Sequence, residues 1–198
     1  MKITLKDRER LRAILLESVR TKQSLLSQEV SENVLQAAAR LALSFRKKGK
    51  LILFGNGGSA SDSLHIAGEF LGRFDHRLRR PSLPAIALSE NPAALTAIAN
   101  DFGYSYSFSR QLEGLASPGD VVLGISTSGN SQNVLEATRV ARKKKLYTIG
   151  LTGATGGKLK TLVDLCICVP SDNTQRIQES HITIGHAICE LVEKALYG

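Results

Sequence analysis

The 198-residue chain has no tryptophan, one methionine, five prolines and three cysteines, and aromatic residues make up only 5% of it. Each scarcity excludes something. An odd count of cysteines argues against a disulfide framework, and so few aromatics leave little from which to build a base-stacking nucleic-acid surface. No proline-, glycine- or serine-biased tract marks a linker or a low-complexity segment. No apolar run approaches the roughly 20 residues that span a bilayer. The opening MKITLKDRERLRAILLESVR scatters charge where a signal peptide requires an apolar block, so the chain is expected in the cytoplasm. Histidine is scarce as well: only His65, His76, His181 and His186 can supply imidazole chemistry.

What is present describes a globular protein. The chain is 42% hydrophobic and 22% charged, and its length suits one domain over residues 1–198, with a helical segment at 1–49. The net charge of +8 comes from separated clusters at Arg46 to Lys48, Arg77 to Arg80 and Arg142 to Lys145. These read as solvated helix ends, where cations complement the C-terminal dipole. With no helix-turn-helix pattern beside them, nucleic acid is not an expected partner. Cys166 and Cys168 alternate along a strand and Cys189 lies on the last helix, a pattern expected of buried reduced thiols rather than metal ligands.

The hydrophobic pattern changes period after Gly49. Before it, apolar residues recur at helical spacing over about Leu5 to Leu26 and Glu29 to Lys48. After it come short apolar runs at Leu51 to Phe54, Leu83 to Leu88, Val121 to Ile125, Tyr147 to Leu151 and Leu165 to Val169. Helical patterns separate them at about Ser59 to Arg73, Ala93 to Asn100, Ser107 to Leu115 and Ser131 to Lys144, with a short one near Gly157 to Leu162. A long helix closes the chain over Thr174 to Leu196. Strands this apolar are covered on both faces, so the order predicts an α/β fold: a doubly wound parallel five-stranded sheet sandwiched by helices, preceded by two N-terminal helices. In such a fold ligands bind at the carboxyl ends of the strands.

Two segments sit at such ends. In Leu51 to Glu69, LILFGNGGSASDSLHIAGE, a strand runs through Gly55, Gly57 and Gly58 into a helix whose N-terminal amides face any docked anion. His65 and Glu69 follow at i and i+4 on one face of that helix. In GISTSGNS, four hydroxyl residues, Ser126, Thr127, Ser128 and Ser131, crowd a strand-to-helix turn in which capping needs one. That surplus favours a phosphate site. Neither loop carries the Lys-Ser/Thr of a P-loop or the spacing of a dinucleotide fingerprint, so a phosphorylated small molecule is expected rather than a nucleotide. On the last helix Gln178 and His186, eight apart, share a broad face, and His76 falls to the surface.

These motifs, with RRPSLPAIALS, the AND of Ala99 to Asp101, TGATGGKL and RIQESHITIGHAICELVE, resemble in order and spacing the sugar isomerase (SIS) domain superfamily and, within it, the phosphoheptose isomerase family. The resemblance spans nearly the whole chain. It implies an aldose–ketose isomerase that converts sedoheptulose 7-phosphate to D-glycero-D-manno-heptose 7-phosphate through an enediol. It further implies that Asn56, Gly57, Gly58, Glu69, Asn100, Asp101, Ser126, Thr127, Ser128, Ser131 and Gln178 contact the substrate. Glu69 and His186 would be its base and acid, and His65, Glu69, Gln178 and His186 would hold a zinc ion. A homotetramer is implied too. An alternative is a non-catalytic SIS module that binds a phosphosugar or the replication initiator. Relatives of that kind replace the glutamate and the last histidine and carry an arginine in the serine loop, whereas this chain keeps Glu69, Ser128 and His186.

Overall fold

The computed structural model describes residues 3–198. Helix α1 (Leu5–Ser24) opens with a capping box, in which the Asp7 amide donates to the Thr4 hydroxyl at 3.3 Å and the Thr4 amide donates back to the Asp7 carboxylate at 2.9 Å. Helix α2 (Gln28–Arg46) follows, and the chain enters strand β1 (Leu51–Gly55). From there the order is α3 (Gly58–Leu71), β2 (Ala85–Ala87), α4 (Pro92–Phe102), α5 (Ser109–Leu115), β3 (Val121–Ile125) and α6 (Gln132–Lys143). Strands β4 (Tyr147–Thr152) and β5 (Leu165–Cys168) precede the long α7 (Thr174–Tyr197).

All five strands are parallel, in the order β2-β1-β3-β4-β5. Alternate side chains point to two cores. Leu51, Leu53, Leu123 and Ile149 pack under α2, α3 and α7, whereas Ile52, Phe54 and Val122 pack under α5 and α6. The layered, fully covered sheet is the one the apolar strands demanded. Because β1 leads outward to β2 while β3 leads the other way to β4, a crevice opens between the carboxyl ends of β1 and β3. The glycine and serine turns both emerge there.

Three expectations need correction. The second strand is three residues rather than six, because Pro84 has no N–H to give and the Leu83 amide donates to the Phe70 carbonyl instead. Arg77 to Arg80 is not uniformly solvated: the Arg80 side chain is wholly buried against Glu193, at 2.6 Å. Cys166 and Cys168 are half-buried rather than buried, since they lie on the edge strand; Cys189 alone is buried. His76 is exposed, as expected. Among the described residues no helix is long and apolar enough to cross a membrane.

Candidate active site

The site is built where α3 and α7 run side by side. Gly58 begins α3, and a Cβ there would lie 2.5 Å from Nε2 of Gln178, so the carboxamide of the last helix rests against the head of α3 in the space that a side chain at Gly58 would take. Two turns on, the same contact line has room for Gly185, where a Cβ would meet Ile66 at 2.6 Å. This close approach brings His186 beside His65, residues 121 apart in sequence.

The two imidazole Nε2 atoms are 3.0 Å apart, and the His65 Nε2 is 3.1 Å from Oε1 of Glu69. One proton at most resides on the His65 Nε2, so it cannot satisfy both neighbours by donating. Three electron-rich atoms therefore converge within 4.8 Å on a partly exposed surface, an arrangement a cation would stabilise. The donor set also fits zinc. Ligands about 2.0–2.2 Å from a tetrahedral zinc stand about 3.3 Å from one another, close to the separations seen. The Phe74 ring, 5.4 Å from that of His186, walls one side. The structure brings the expected ligands His65, Glu69 and His186 together, and the carboxamide of Gln178, eight residues before His186 on α7, lies against Gly58.

Burial also shapes the neighbouring Asp62. Its Oδ2 is buried without a hydrogen-bond partner, and that desolvation, moderated by His65, raises the carboxyl to about 6.

The serine turn gathers hydroxyl groups at the head of α6. Ser126 and Ser131 hydroxyls are 3.0 Å apart, the first buried and the second half-buried, and Ser131 heads α6 without capping it by a side-chain bond. Its hydroxyl is thus paired with that of Ser126 rather than with the helix amides, which leaves the N-terminal dipole of α6 facing the turn. The Ser128 hydroxyl accepts from the Asn130 amide at 3.1 Å, and Thr127 is half-buried beside it. Gly129, at φ 65°, is locked against Gly156, whose carbonyl oxygen would lie 2.0 Å from any Cβ placed there. A cleft of about 340 Å³ reaches this turn from the β4 and β5 side, lined in part by Thr127, Ser128, Asn130, Asp172 and Thr174.

Asn56 links the turns. Its Nδ2 donates to Oδ1 of Asn133 at 2.8 Å, and its Oδ1 accepts from Asn133 Nδ2 at 2.9 Å and from the Tyr104 hydroxyl at 2.8 Å. With its side chain thus engaged, Asn56 and the following Gly57 present main chain to the crevice. Asn100 and Asp101 pair with each other at 2.8 Å on the exposed end of α4, just before Tyr104.

Sequence reasoning missed Asn133, Tyr104 and Ser107, whose hydroxyl accepts from Asn133 Nδ2 at 3.2 Å. A signal existed for one of them. Asn133 shares the spacing of the buried Ala137 and Ala141, and a polar residue on the inward stripe of an amphipathic helix needs a partner.

The comparisons agree with this architecture. A family model described as the SIS domain matches residues 16–153, which sets the class: a sugar-isomerase (SIS) domain. The chain is 55% identical over 164 residues to the phosphoheptose isomerase of Roseiflexus sp. (strain RS-1), covering 83% of this chain and 82% of that one. Against the phosphoheptose isomerase of Aneurinibacillus thermoaerophilus it is 49% identical, covering 91% and 90%. The solved phosphoheptose isomerase of Neisseria gonorrhoeae superposes with a TM-score of 0.88 at 41% identity, covering 94% of this chain and 98% of that one. The chain belongs to the phosphoheptose isomerase family of SIS-domain proteins.

Proposed function

We propose that the chain, one SIS domain with an N-terminal helical extension, isomerises sedoheptulose 7-phosphate to D-glycero-D-manno-heptose 7-phosphate. The observation that carries this reading is the convergence of His65, Glu69 and His186 beside two anion-receptive turns. Gly58 and His65 are seven residues apart, about 10 Å along the helix, so the glycine turn that lines the sugar and the reactive groups are separated on the scale of an open-chain sugar.

Moving the carbonyl from C2 to C1 requires a proton to leave C1 and another to reach C2. Glu69 removes the first and His186 delivers the second, each worth roughly 10²–10⁴-fold in rate. Ser126, Thr127, Ser128 and Ser131 bind the phosphate, which contributes position rather than chemistry. The main chain of Asn56, Gly57 and Gly58, together with Asn100, Asp101 and Gln178, lines the sugar. His65, Glu69 and His186, with Gln178 if its carboxamide swings from Gly58, would hold zinc, which when bound supplies Lewis-acid polarisation of the substrate oxygens.

The assembly we propose is a cytoplasmic homotetramer. Its support is α1, whose Leu5, Leu11, Leu15, Leu16 and Val19 are all exposed while only Thr21 is buried. Such a stripe on a helix tied down mainly near its C-terminal half, by Ser18 to Glu179 and Arg176 to the Ile14 carbonyl, suits a subunit interface.

The test is isomerisation of sedoheptulose 7-phosphate by wild type, Glu69→Gln and His186→Gln. Each variant should stay folded and lose at least about 100-fold in kcat. Binding of the sugar phosphate by wild type without turnover would favour the non-catalytic module instead.

A further inference from the structure

Cys166 and Cys168 stand outside the crevice, at the far edge of the sheet, and no step above uses them. They alternate with Leu165 and Ile167, so while those two enter the core the two thiols share the opposite face of β5. Register aligns Cys166 with Gly150 and Cys168 with Thr152 of β4. Gly150 has no side chain to separate the sulfurs from the sheet, and the Thr152 hydroxyl lies 3.3 Å from Sγ of Cys168 and 3.5 Å from Sγ of Cys166. The sulfurs themselves are 3.6 Å apart. Both residues are half-buried, so one side of the pair meets solvent.

We propose that Cys166 and Cys168 form a chelating dithiol site for a soft, filled-shell cation such as Zn²⁺, Cd²⁺, Cu⁺ or Hg²⁺. The argument is the bite distance. Two thiolates bound to one tetrahedral zinc at about 2.3 Å stand about 3.8 Å apart, within a few tenths of an ångström of the separation here. The alternative fate of a close thiol pair is a disulfide, and its geometry is worse. The sulfurs would have to close to about 2.05 Å between Cα atoms two strand residues apart, about 6.6 Å, at the long limit of the range that disulfides span. Chelation leaves β5 as it is. The ordered hydroxyl of Thr152 and open solvent supply what remains of the coordination shell.

Binding a dication displaces two thiol protons to solvent, and no oxidant or reductant takes part.

The site is separate from the histidine cluster, so its test does not depend on the isomerase reading. The reduced, chelator-treated full chain is titrated with Cd²⁺ while the ultraviolet thiolate-to-cadmium charge-transfer band is followed. A His65→Ala/His186→Ala background should keep the band and saturate at one cadmium per chain; Cys166→Ser/Cys168→Ser should lose it. A second readout works on the wild type alone. Mass spectrometry after brief alkylation should show Cd²⁺ protecting Cys166 and Cys168 together, with the buried Cys189 unmodified throughout. Persistence of the band in the serine variant, or alkylation of the pair unchanged by saturating Cd²⁺, would overturn the proposal.

Discussion

Removing the Arg80 guanidinium should unfold the protein earlier and weaken catalysis through Glu69. Arg80 and Glu193 are a buried pair, with side chains 0% and 1% exposed and Nε to Oε1 at 2.6 Å. Arg80 also donates to the Glu69 carbonyl at 2.8 Å and to the Phe70 and Pro81 carbonyls at 2.9 Å, and so closes carbonyls that the end of α3 leaves without intrahelical partners. Glu193 accepts from the Phe74 and Asp75 amides at 2.9 Å. Burial works to raise its carboxyl, but the two amides and Arg80 together overcome this and hold it below its ordinary range. Arg80→Met strands that charge, which costs about 3–5 kcal/mol. At about 2–4 °C per kcal/mol for a chain of this size, the Tm should fall by about 10 °C. Arg80→Met/Glu193→Met removes both charges and should be more stable than Arg80→Met, with a coupling of about 2 kcal/mol. Denaturant midpoints of the four proteins in that cycle, read beside kcat, check the reasoning. An Arg80→Met protein within about 1 kcal/mol of wild type would refute it.

Further predictions follow from other parts of the site. Ser126→Ala/Ser131→Ala should raise KM for the phosphosugar by at least about tenfold with a smaller effect on kcat, read from initial rates. Zinc should bind the wild type and be lost from its histidine site in His65→Ala/His186→Ala, as metal analysis in a Cys166→Ser/Cys168→Ser background would show. His181 is fully buried and its Nε2–H donates to the Thr152 carbonyl, 3.1 Å away; desolvation lowers it to about 4, against the partial opposition of that bond. The folded state thus binds fewer protons than the unfolded between about pH 6.5 and 4, and stability falls as pH drops through that window, by about 2 kcal/mol from pH 7 to 5. Asp62, raised to about 6, has the opposite sign and offsets part of this. Urea unfolding of His181→Asn should show that much less acid sensitivity than wild type.

Most elements were legible in the sequence because local pattern and tertiary demand agree. Val121–Ile125 and Leu51–Gly55 are continuous apolar runs, and a parallel strand between two helix layers needs nothing else. The errors arose where one distant partner decides the outcome. Arg80 belongs to a basic cluster by sequence and to Glu193, 113 residues away, in space. The helix expected from Ser107 begins at Ser109, after a 3₁₀ turn at Tyr104–Tyr106 that carries the Tyr104 hydroxyl to Asn56. His65 and Glu69 announce themselves by their spacing of four, whereas their meeting with His186 comes from the packing of α3 against α7, in which Gln178 lies against Gly58 and Ile66 against Gly185. The Cys166–Cys168 proximity was implicit in the spacing of two, but the facing Gly150 and Thr152 come from strand order.

The parallel contact of α3 with α7 also fixes when this chain can become reactive. Synthesis delivers the serine turn, the glycine turn and the His65–Glu69 pair first, while His186 arrives only with the final helix. A chain shortened before α7 therefore lacks Ile177, Ile184, Ile188, Cys189 and Val192 of the core as well as the third donor. Completion of the core and completion of the His65–Glu69–His186 cluster thus fall to the same final helix.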